Sequence, residues 1–197
     1  MIHGEFEYMQ AIHSVTPDFV PKPKTDCFGD VQICSKFAFL PVRVCGYEWW
    51  IAGNTPVFQE TRRDASNSTS PNGKFGFPVT TYNGSLPQLN DRTETWEEFF
   101  ATGLMHMLDL ERAARGSSPD LEVLTSPPFQ IIIPRLLTPL ESGDRRIKPS
   151  LIHGDLRYGN AATKITTNEP AVFDVVTCYG HNECMTFVEA FVGGYEH

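Results

Sequence analysis

The sequence predicts an α+β fold, with helices in the first and middle parts of the chain and short strands near its C-terminal end. Two helical periodicities, at residues 5–15 and 95–116, and several short apolar runs between residues 151 and 173 predict this order. The chain has 197 residues, of which 41% are hydrophobic, so it can bury a core of its own.

The first predicted element is a helix over residues 5–15. Apolar side chains recur there at three-residue steps and so share one face of the helix: Phe6, Met9, Ile12 and Val15. Pro17 then ends the pattern, because proline lacks the backbone N–H that a helix interior needs. The chain therefore opens almost directly with a helix.

The region after this helix has weaker signals. Residues 36–51 are rich in Phe, Val and Trp, which favours one or two short strands. Residues 65–73 are mostly Ser, Asn and Thr with Pro71, a composition typical of an exposed loop. We expect a lobe boundary in this loop, which divides the chain into residues 1–64 and residues 65–197.

Two further helices are predicted in the middle of the chain. Thr95 and Glu98 have the spacing of a capping box, apolar residues follow at helical spacing, and Gly116 lies beyond the last turn. A second helix is expected to start at Ser126 and to run to Leu137, with a kink at Pro134.

The last predicted elements are short strands around a polar loop. An apolar pair at residues 151–152 precedes His153, and apolar runs at 161–165 and 171–173 are separated by turn-forming residues. We predict that these two runs form a hairpin that turns at residues 166–170.

Composition limits the partners of the chain. The formal charge of −8 and the isoelectric point near 5.2 disfavour binding to nucleic acid or to an acidic membrane, because both would repel an acidic protein. No apolar run has the length needed to span a bilayer. The five cysteines are odd in number and lack C-x-x-C spacing, which favours reduced thiols and a cytoplasmic location.

The segment HGDLRYGN at residues 153–160, here named loop 153–160, has the H-x-D-L-x-x-x-N spacing of a kinase catalytic loop. Asp174 follows at the end of an apolar strand. Phosphoryl transfer needs a carboxylate to orient and deprotonate the attacking hydroxyl, and oxygen ligands to hold Mg²⁺ against the phosphates. Asp155 fits the first role, and Asn160 and Asp174 fit the second. His153 is expected to fix the loop rather than to act as a base.

Other interpretations of these residues remain open. Asp155 and Asn160 could merely cap turns, as many loop residues of these types do. A metal-hydrolase cluster of His153, Asp155, His181 and Glu183 is a second alternative, but it leaves Asn160 unexplained. A serine hydrolase is disfavoured because the chain has no G-x-S-x-G motif.

The chain resembles the fructosamine and ketosamine 3-kinases, which are related to the aminoglycoside phosphotransferases. Stretches that match in the family's order are residues 4–7, 73–77, 83–88, 96–100, 153–155, 173–174 and 179–183. The resemblance extends over about two thirds of the chain. It implies a protein-kinase-like fold, mainly the helical C-terminal lobe with a catalytic-loop hairpin and a reduced N-terminal lobe.

The resemblance also implies a reaction and its residues. The reaction is ATP-dependent phosphorylation of the 3-hydroxyl of a ribulosamine or fructosamine on glycated amines or protein lysines, which serves deglycation repair. The roles implied are the base for Asp155, Mg²⁺ ligands for Asn160 and Asp174, pairing with an ATP-binding lysine for Glu5, and sugar contacts for His181 and Glu183. Glu5 could instead be an ordinary first-turn acid, and residues 179–183 a structural turn.

Several expected features of the family are not found in the sequence. No G-x-G pair occurs, no strand lysine precedes the helix of Glu5, and Val175 replaces a proline expected after Asp174. We therefore expect a chain truncated at both ends, with an incomplete catalytic lobe. A degenerate pseudokinase or a binding protein without phosphoryl transfer is the alternative function.

Overall fold

The computed structural model describes residues 2–18, 20, 22–23, 42–44, 68–155, 160–164 and 170–182. These residues contain both helices and strands, so the α+β class is confirmed. The helices are α1 (Ile2–Val15), α2 (Trp96–Arg115), α3 (Pro119–Pro127) and α4 (Ile133–Leu137). The strands are β1 (Val42–Val44), β2 (Tyr82–Asn83), β3 (Leu86–Pro87), β4 (Ser150–Ile152), β5 (Ala161–Lys164), β6 (Pro170–Val172) and β7 (Cys178–Gly180).

Helix α1 confirms the first predicted element and packs against the core through one face. Its buried residues are Tyr8, Met9 and Ile12. The hydroxyl of Thr16 donates to the Ile12 carbonyl over 2.9 Å and closes the last turn. The helix ends at Val15, because a residue directly before proline is driven out of the helical region and Pro17 follows Thr16.

The strands form three small antiparallel groups. Strand β5 lies between β1 and β6, β2 pairs with β3, and β4 pairs with β7. The β5–β6 hairpin confirms the prediction, with Ala161 opposite Val172 and Ala162 opposite Ala171. Pro170 belongs to strand β6 rather than to the predicted turn, and the remaining turn residues lie outside the described part of the chain.

A single cluster of buried side chains connects α1 to the strands around loop 153–160. Its members include Ile12 from α1, Phe77, Leu151 from β4, Val172 from β6 and Val175. Four of these, all except Phe77, are at most 1% exposed. Helix α1 is therefore packed against the segment that precedes and follows Asp174.

Helix α2 confirms the predicted capping signals. The Thr95 hydroxyl accepts a hydrogen bond from the Glu98 backbone N–H over 3.2 Å. Gly116 has a φ of 84°, and its N–H donates to the Arg112 carbonyl. Among the described residues no helix is long and apolar enough to cross a membrane.

The predicted start of the next helix is wrong. Helix α3 begins at Pro119 rather than at Ser126, because Pro119 occupies the first helical position, where its missing N–H does no harm. The pair Pro127 and Pro128 then leads into a π-helical turn (Pro128–Ile132) before α4, and a 3₁₀ turn (Thr138–Glu141) follows. The consecutive prolines remove two helical donors, which explains the widened turn.

The described part of the predicted exposed loop is held against β4. Ser68 accepts a hydrogen bond from Leu151, Ser70 donates to the Pro149 carbonyl, and Thr69 forms a bridge with Ser150. Thr69 and residues 71–73 are exposed, as expected for this loop, whereas Ser70 is only 5% exposed. The division of the chain at residues 64 and 65 stays a prediction.

Candidate active site

Strand β4 lies in the core and leads directly into His153, the first residue of loop 153–160. The strand is buried along its whole length, and His153 directly after it is fully buried. The His153 carbonyl accepts a hydrogen bond from the Val176 N–H over 2.7 Å. This bond ties the start of the loop to the segment that follows Asp174.

Glycine is required at position 154 because the backbone of Val176 passes close to it. Its φ is 82°, and a Cβ at this position would lie 2.0 Å from the Val176 carbonyl oxygen. Any side chain would therefore force the backbone apart. The glycine lets the loop turn tightly enough to present Asp155 at the surface of the core.

Asp155 and Asn160 are in direct contact, as their spacing predicts. The Asn160 Nδ2 donates to the Asp155 Oδ2 over 2.7 Å and to the Asp155 backbone carbonyl over 2.8 Å. Asn160 is 3% exposed, whereas Asp155 is half-buried. The buried amide thus orients the carboxylate, and its own Oδ1 is the end that could ligate a cation.

The β5–β6 hairpin places Phe173, the residue before Asp174, against Asn160. The Asn160 carbonyl accepts a hydrogen bond from the Phe173 N–H over 3.0 Å, which extends the pairing by one step beyond the strands. Asp174 follows immediately, is exposed and has a φ of 57°. A positive φ is uncommon for residues other than glycine and is concentrated at functional sites.

His153 has an environment that favours its neutral form. Burial lowers the pKa of His153 to about 3, while backbone groups of Phe173 and of His153 itself act in the opposite direction. Nδ1 accepts a long hydrogen bond of 3.4 Å from the Asp155 N–H. Nε2 has no hydrogen-bond partner within the described residues. The ring is neutral near pH 7 and supports the loop.

The remaining predicted site residues lie elsewhere or outside the described structure. Glu5 is on α1, but its side chain is not among those described, and Glu183 lies outside the described residues. His181 follows β7, whose Gly180 pairs with Ser150. Since Ser150 precedes Asp155 by five residues, His181 lies at the other end of this strand pair, up to roughly 16 Å away along the strand.

The His181 ring contacts an aromatic cluster. The His181 ring is 6.1 Å from the ring of Trp96, which is 5% exposed and also lies 5.7 Å from the ring of Phe75. These contacts connect α2 to the end of β7. They give His181 a structural contact, and its assignment to the sugar pocket stays a prediction.

Sequence reasoning missed Arg92. Its Nη1 donates to the Gly76 carbonyl over 3.2 Å, and its guanidinium lies 5.4 Å from the centroid of the Tyr179 ring. Burial lowers the pKa of Arg92, against smaller raising effects of Tyr179 and Cys178. Gly76 in turn pairs with Tyr179. No short-range pattern marks Arg92, because its contacts are far away in the sequence.

The oxygen atoms of the site suit a hard cation. Asn160 and Asp174 offer an amide and a carboxylate, the ligand types that Mg²⁺ prefers. Within the described part of the chain no group of three or more His, Cys, Asp and Glu side chains forms a metal cluster. Mg²⁺ does not need one, since it keeps several waters and binds substrate phosphates.

Comparison with known proteins decides the family. The profile of the fructosamine kinase family matches residues 1–197. The chain belongs to the fructosamine kinase family. Family membership confirms the resemblance found in the sequence.

Named members of the family align with part of the chain. A ketosamine-3-kinase of Mus musculus is 36% identical over 123 residues, which are 62% of this chain and 37% of that protein. A chloroplastic protein-ribulosamine 3-kinase of Arabidopsis thaliana is 33% identical over 135 residues, 61% of this chain and 37% of that protein. The chain spans about two fifths of the length of these curated relatives.

A solved structure is also similar. The crystal structure of a fructosamine-3-kinase candidate from Thermobifida fusca superposes with a TM-score of 0.49 at 24% sequence identity. The superposition covers 68% of this chain and 43% of the other.

Proposed function

We propose that this chain carries the catalytic loop of an ATP-dependent ketosamine 3-kinase. The observation that carries the proposal is the contact of Asp155 with Asn160. Asp174 follows Phe173, whose N–H binds the Asn160 carbonyl. Family membership and the names of the relatives supply the substrate class. The acceptor is the 3-hydroxyl of a ribulosamine or fructosamine, free or on a glycated protein.

The proposed step is a phosphoryl transfer assisted by a base. Asp155 takes the proton of the substrate 3-hydroxyl while the hydroxyl oxygen attacks the γ-phosphorus of ATP, and ADP leaves with the electron pair of the broken P–O bond. The hydrogen bond from Asn160 fixes the rotation of the Asp155 carboxylate. The product is a ketosamine 3-phosphate, whose breakdown would release the amine and so serve deglycation repair.

Asn160 and Asp174 fit the expected Mg²⁺. Bound there, the ion would neutralise charge on the phosphates of ATP. Asn160 is held by its two bonds to Asp155, so its amide is oriented before any ligand arrives. The positive φ of Asp174 sets its carboxylate at a bend directly after the hairpin.

The positions of α1 and of residues 65–197 within a kinase-like fold are proposed from the family resemblance. In a kinase-like fold α1 would carry Glu5 toward the ATP-binding lysine, and residues 65–197 would form the catalytic lobe. The packing of α1 against Val172 and Val175 supports this position for the helix. The sugar contacts of His181 and Glu183 are proposed from the family resemblance alone. A cytoplasmic location is proposed from the cysteine pattern alone.

The test measures ADP release from ATP and Mg²⁺ with a ribulosamine or fructosamine. The Asp155→Asn variant keeps the shape of the side chain and removes the base, so we expect kcat to fall by about 10²- to 10⁴-fold. The matched control is Asp144→Asn, at an exposed turn, which should leave kcat unchanged. Equal turnover by Asp155→Asn would remove Asp155 from the mechanism.

Binding without transfer is the alternative, since the sequence has no Gly-rich loop. In that case the ketosamine would raise the melting temperature of the protein, and no ADP would appear. Such a result would contradict the kinase proposal for this chain.

A further inference from the structure

Helix α2 carries an apolar strip along most of its length. Trp96 is followed at alternating steps of four and three positions by four residues, which we name the α2 strip: Phe100, Gly103, Met107 and Leu110. Residues at this spacing share one face of a helix, and such a seam typically packs against another helix. Trp96 is the one buried residue of α2, all of whose residues are described. Phe100 is 36% exposed and the rest of the α2 strip is half-buried, so the strip is left partly open.

Packed elements lie on both sides of the α2 strip. On one side His106 Nε2 lies 3.0 Å from the Pro87 carbonyl of β3, and on the other the Thr138 hydroxyl of the 3₁₀ turn donates to Glu97. Because successive residues of a helix are turned by about 100°, His106 and Glu97 flank the strip from opposite sides. A Cβ on Gly103, in the middle of the strip, would meet no atom within 4 Å in the described part of the chain. There is therefore room above the strip.

The described part of the chain ends beside the start of the α2 strip. The His181 ring is 6.1 Å from the ring of Trp96, and the ring of Phe100 is 5.9 Å from Trp96. Asn182 is the last described residue, and residues 183–197 follow it. Since consecutive Cα atoms are about 3.8 Å apart, residue 183 has to lie near the first turn of α2.

The sequence of residues 183–192 has the pattern of an amphipathic helix. On a helical projection its apolar side chains fall on one side, away from Glu183, Thr186 and Glu189. These apolar side chains are Cys184, Met185, Phe187, Val188, Phe191 and Val192. The segment thus offers an apolar face of its own.

The ends and the length of this segment also fit. Asn182 is of the type preferred at a helix N-cap, and Gly193 is of the type preferred directly after a helix end. Ten helical residues are about 15 Å long, and the ten steps from Phe100 to Leu110 have the same length. One such helix would therefore match the α2 strip from end to end.

We propose that residues 183–192 form a helix that packs its apolar face on the α2 strip. This packing would fix Glu183 in the first turn of that helix, two residues after His181. Gly103 would let the two helices approach closely, because it has no side chain to hold them apart. The proposal concerns the folded chain and does not depend on the proposed phosphoryl transfer.

Hydrogen–deuterium exchange of the full chain, read by mass spectrometry, tests this packing. In the unchanged protein the amides of residues 186–192 should exchange at least about tenfold more slowly than those of an unfolded chain. Met107→Lys puts a charge on the α2 strip and should remove most of this protection. Thr102→Lys adds the same charge on the exposed side of α2 and should not.

A second pair of variants tests the segment itself. Phe191→Lys, on its apolar side, should remove the protection in the same way, because the charge would have to be buried against α2. Ala190→Lys, on its polar side, is the matched control and should leave the protection in place. If Met107→Lys does not fold, this second pair decides by the same criteria.

Three results would overturn the proposal. The first is fast exchange of residues 186–192 in the unchanged protein. The second is protection that neither Met107→Lys nor Phe191→Lys reduces, which would mean that the segment packs elsewhere. The third is protection that is lost on dilution, which would assign the α2 strip to a second copy of the chain.

Discussion

Single residues at the start of loop 153–160 are constrained by the backbone of Val176. Its N–H bonds to the His153 carbonyl, and its carbonyl oxygen occupies the space that a side chain on Gly154 would need. His153 is fully buried beside it. These contacts fix the backbone at the start of the loop. They therefore also fix the position of Asp155.

Acid should destabilise the protein through His153. The pKa in the folded state is about 3, below the ordinary value of 6.5 that applies to the unfolded chain. The unfolded state therefore binds more protons between these two values, so this contribution is fully present above pH 6.5 and is lost as pH falls toward 3. From pH 7 to pH 5 the free energy of unfolding should fall by about 2 kcal/mol.

Urea denaturation at both pH values measures this effect, with His153→Asn as the variant that cannot titrate. The difference between pH 7 and pH 5 should shrink in that variant. An undiminished difference would mean that other groups carry the acid sensitivity.

Spacing alone predicted that Asp155 and Asn160 meet, because a short loop leaves them few other arrangements. It could not predict the positive φ of Asp174 or the close approach of the Val176 carbonyl to Gly154, since both are properties of the folded backbone. Arg92 was missed for a similar reason. Its contacts, Gly76 and Tyr179, are brought together by backbone pairing, which a single sequence does not reveal.

At the scale of elements, the first turn of α2 is capped twice. The Thr95 hydroxyl accepts from the Glu98 N–H, and the Glu141 Oε2 accepts from the Trp96 N–H over 2.8 Å. The first cap was visible in the sequence as a local pattern. The second cap was not visible, because Glu141 lies 45 residues after Trp96 in the sequence and contacts the helix only once the chain has folded.

Loss of the local cap should weaken α2. Thr95→Ala leaves the Glu98 N–H without its acceptor, so we expect the free energy of unfolding to fall by about 1 kcal/mol. Thr95→Ser keeps the hydroxyl and is the matched control in chemical denaturation. No loss in Thr95→Ala would show that Glu141 is a sufficient cap.

At the scale of the whole molecule, apolar side chains are exposed on the helical segment from α3 to the 3₁₀ turn. The most exposed are Val123 at 74%, Leu136 at 60% and Ile131 at 59%. Ile132 and Leu140 are also exposed. The fold class followed from periodicity, but this surface did not, because a single sequence does not show which apolar side chains find partners in the fold.

The exposed apolar surface should make the chain associate with itself despite its charge of −8. Ile131→Lys should lower the sedimentation coefficient measured at high protein concentration toward that of a monomer. Gln130→Lys, on the exposed neighbouring residue, adds the same charge and should not. A sedimentation coefficient that does not depend on concentration in the unchanged chain would contradict this expectation.

The left-handed backbone of Asp174 has a consequence for the design of mutants. Alanine at this position would remove the carboxylate and also disfavour the local conformation, so two effects would be mixed in one measurement. Asparagine tolerates the same backbone and differs mainly in charge. Asp174→Asn is therefore the substitution that isolates the role of the carboxylate from the shape of the bend that carries it.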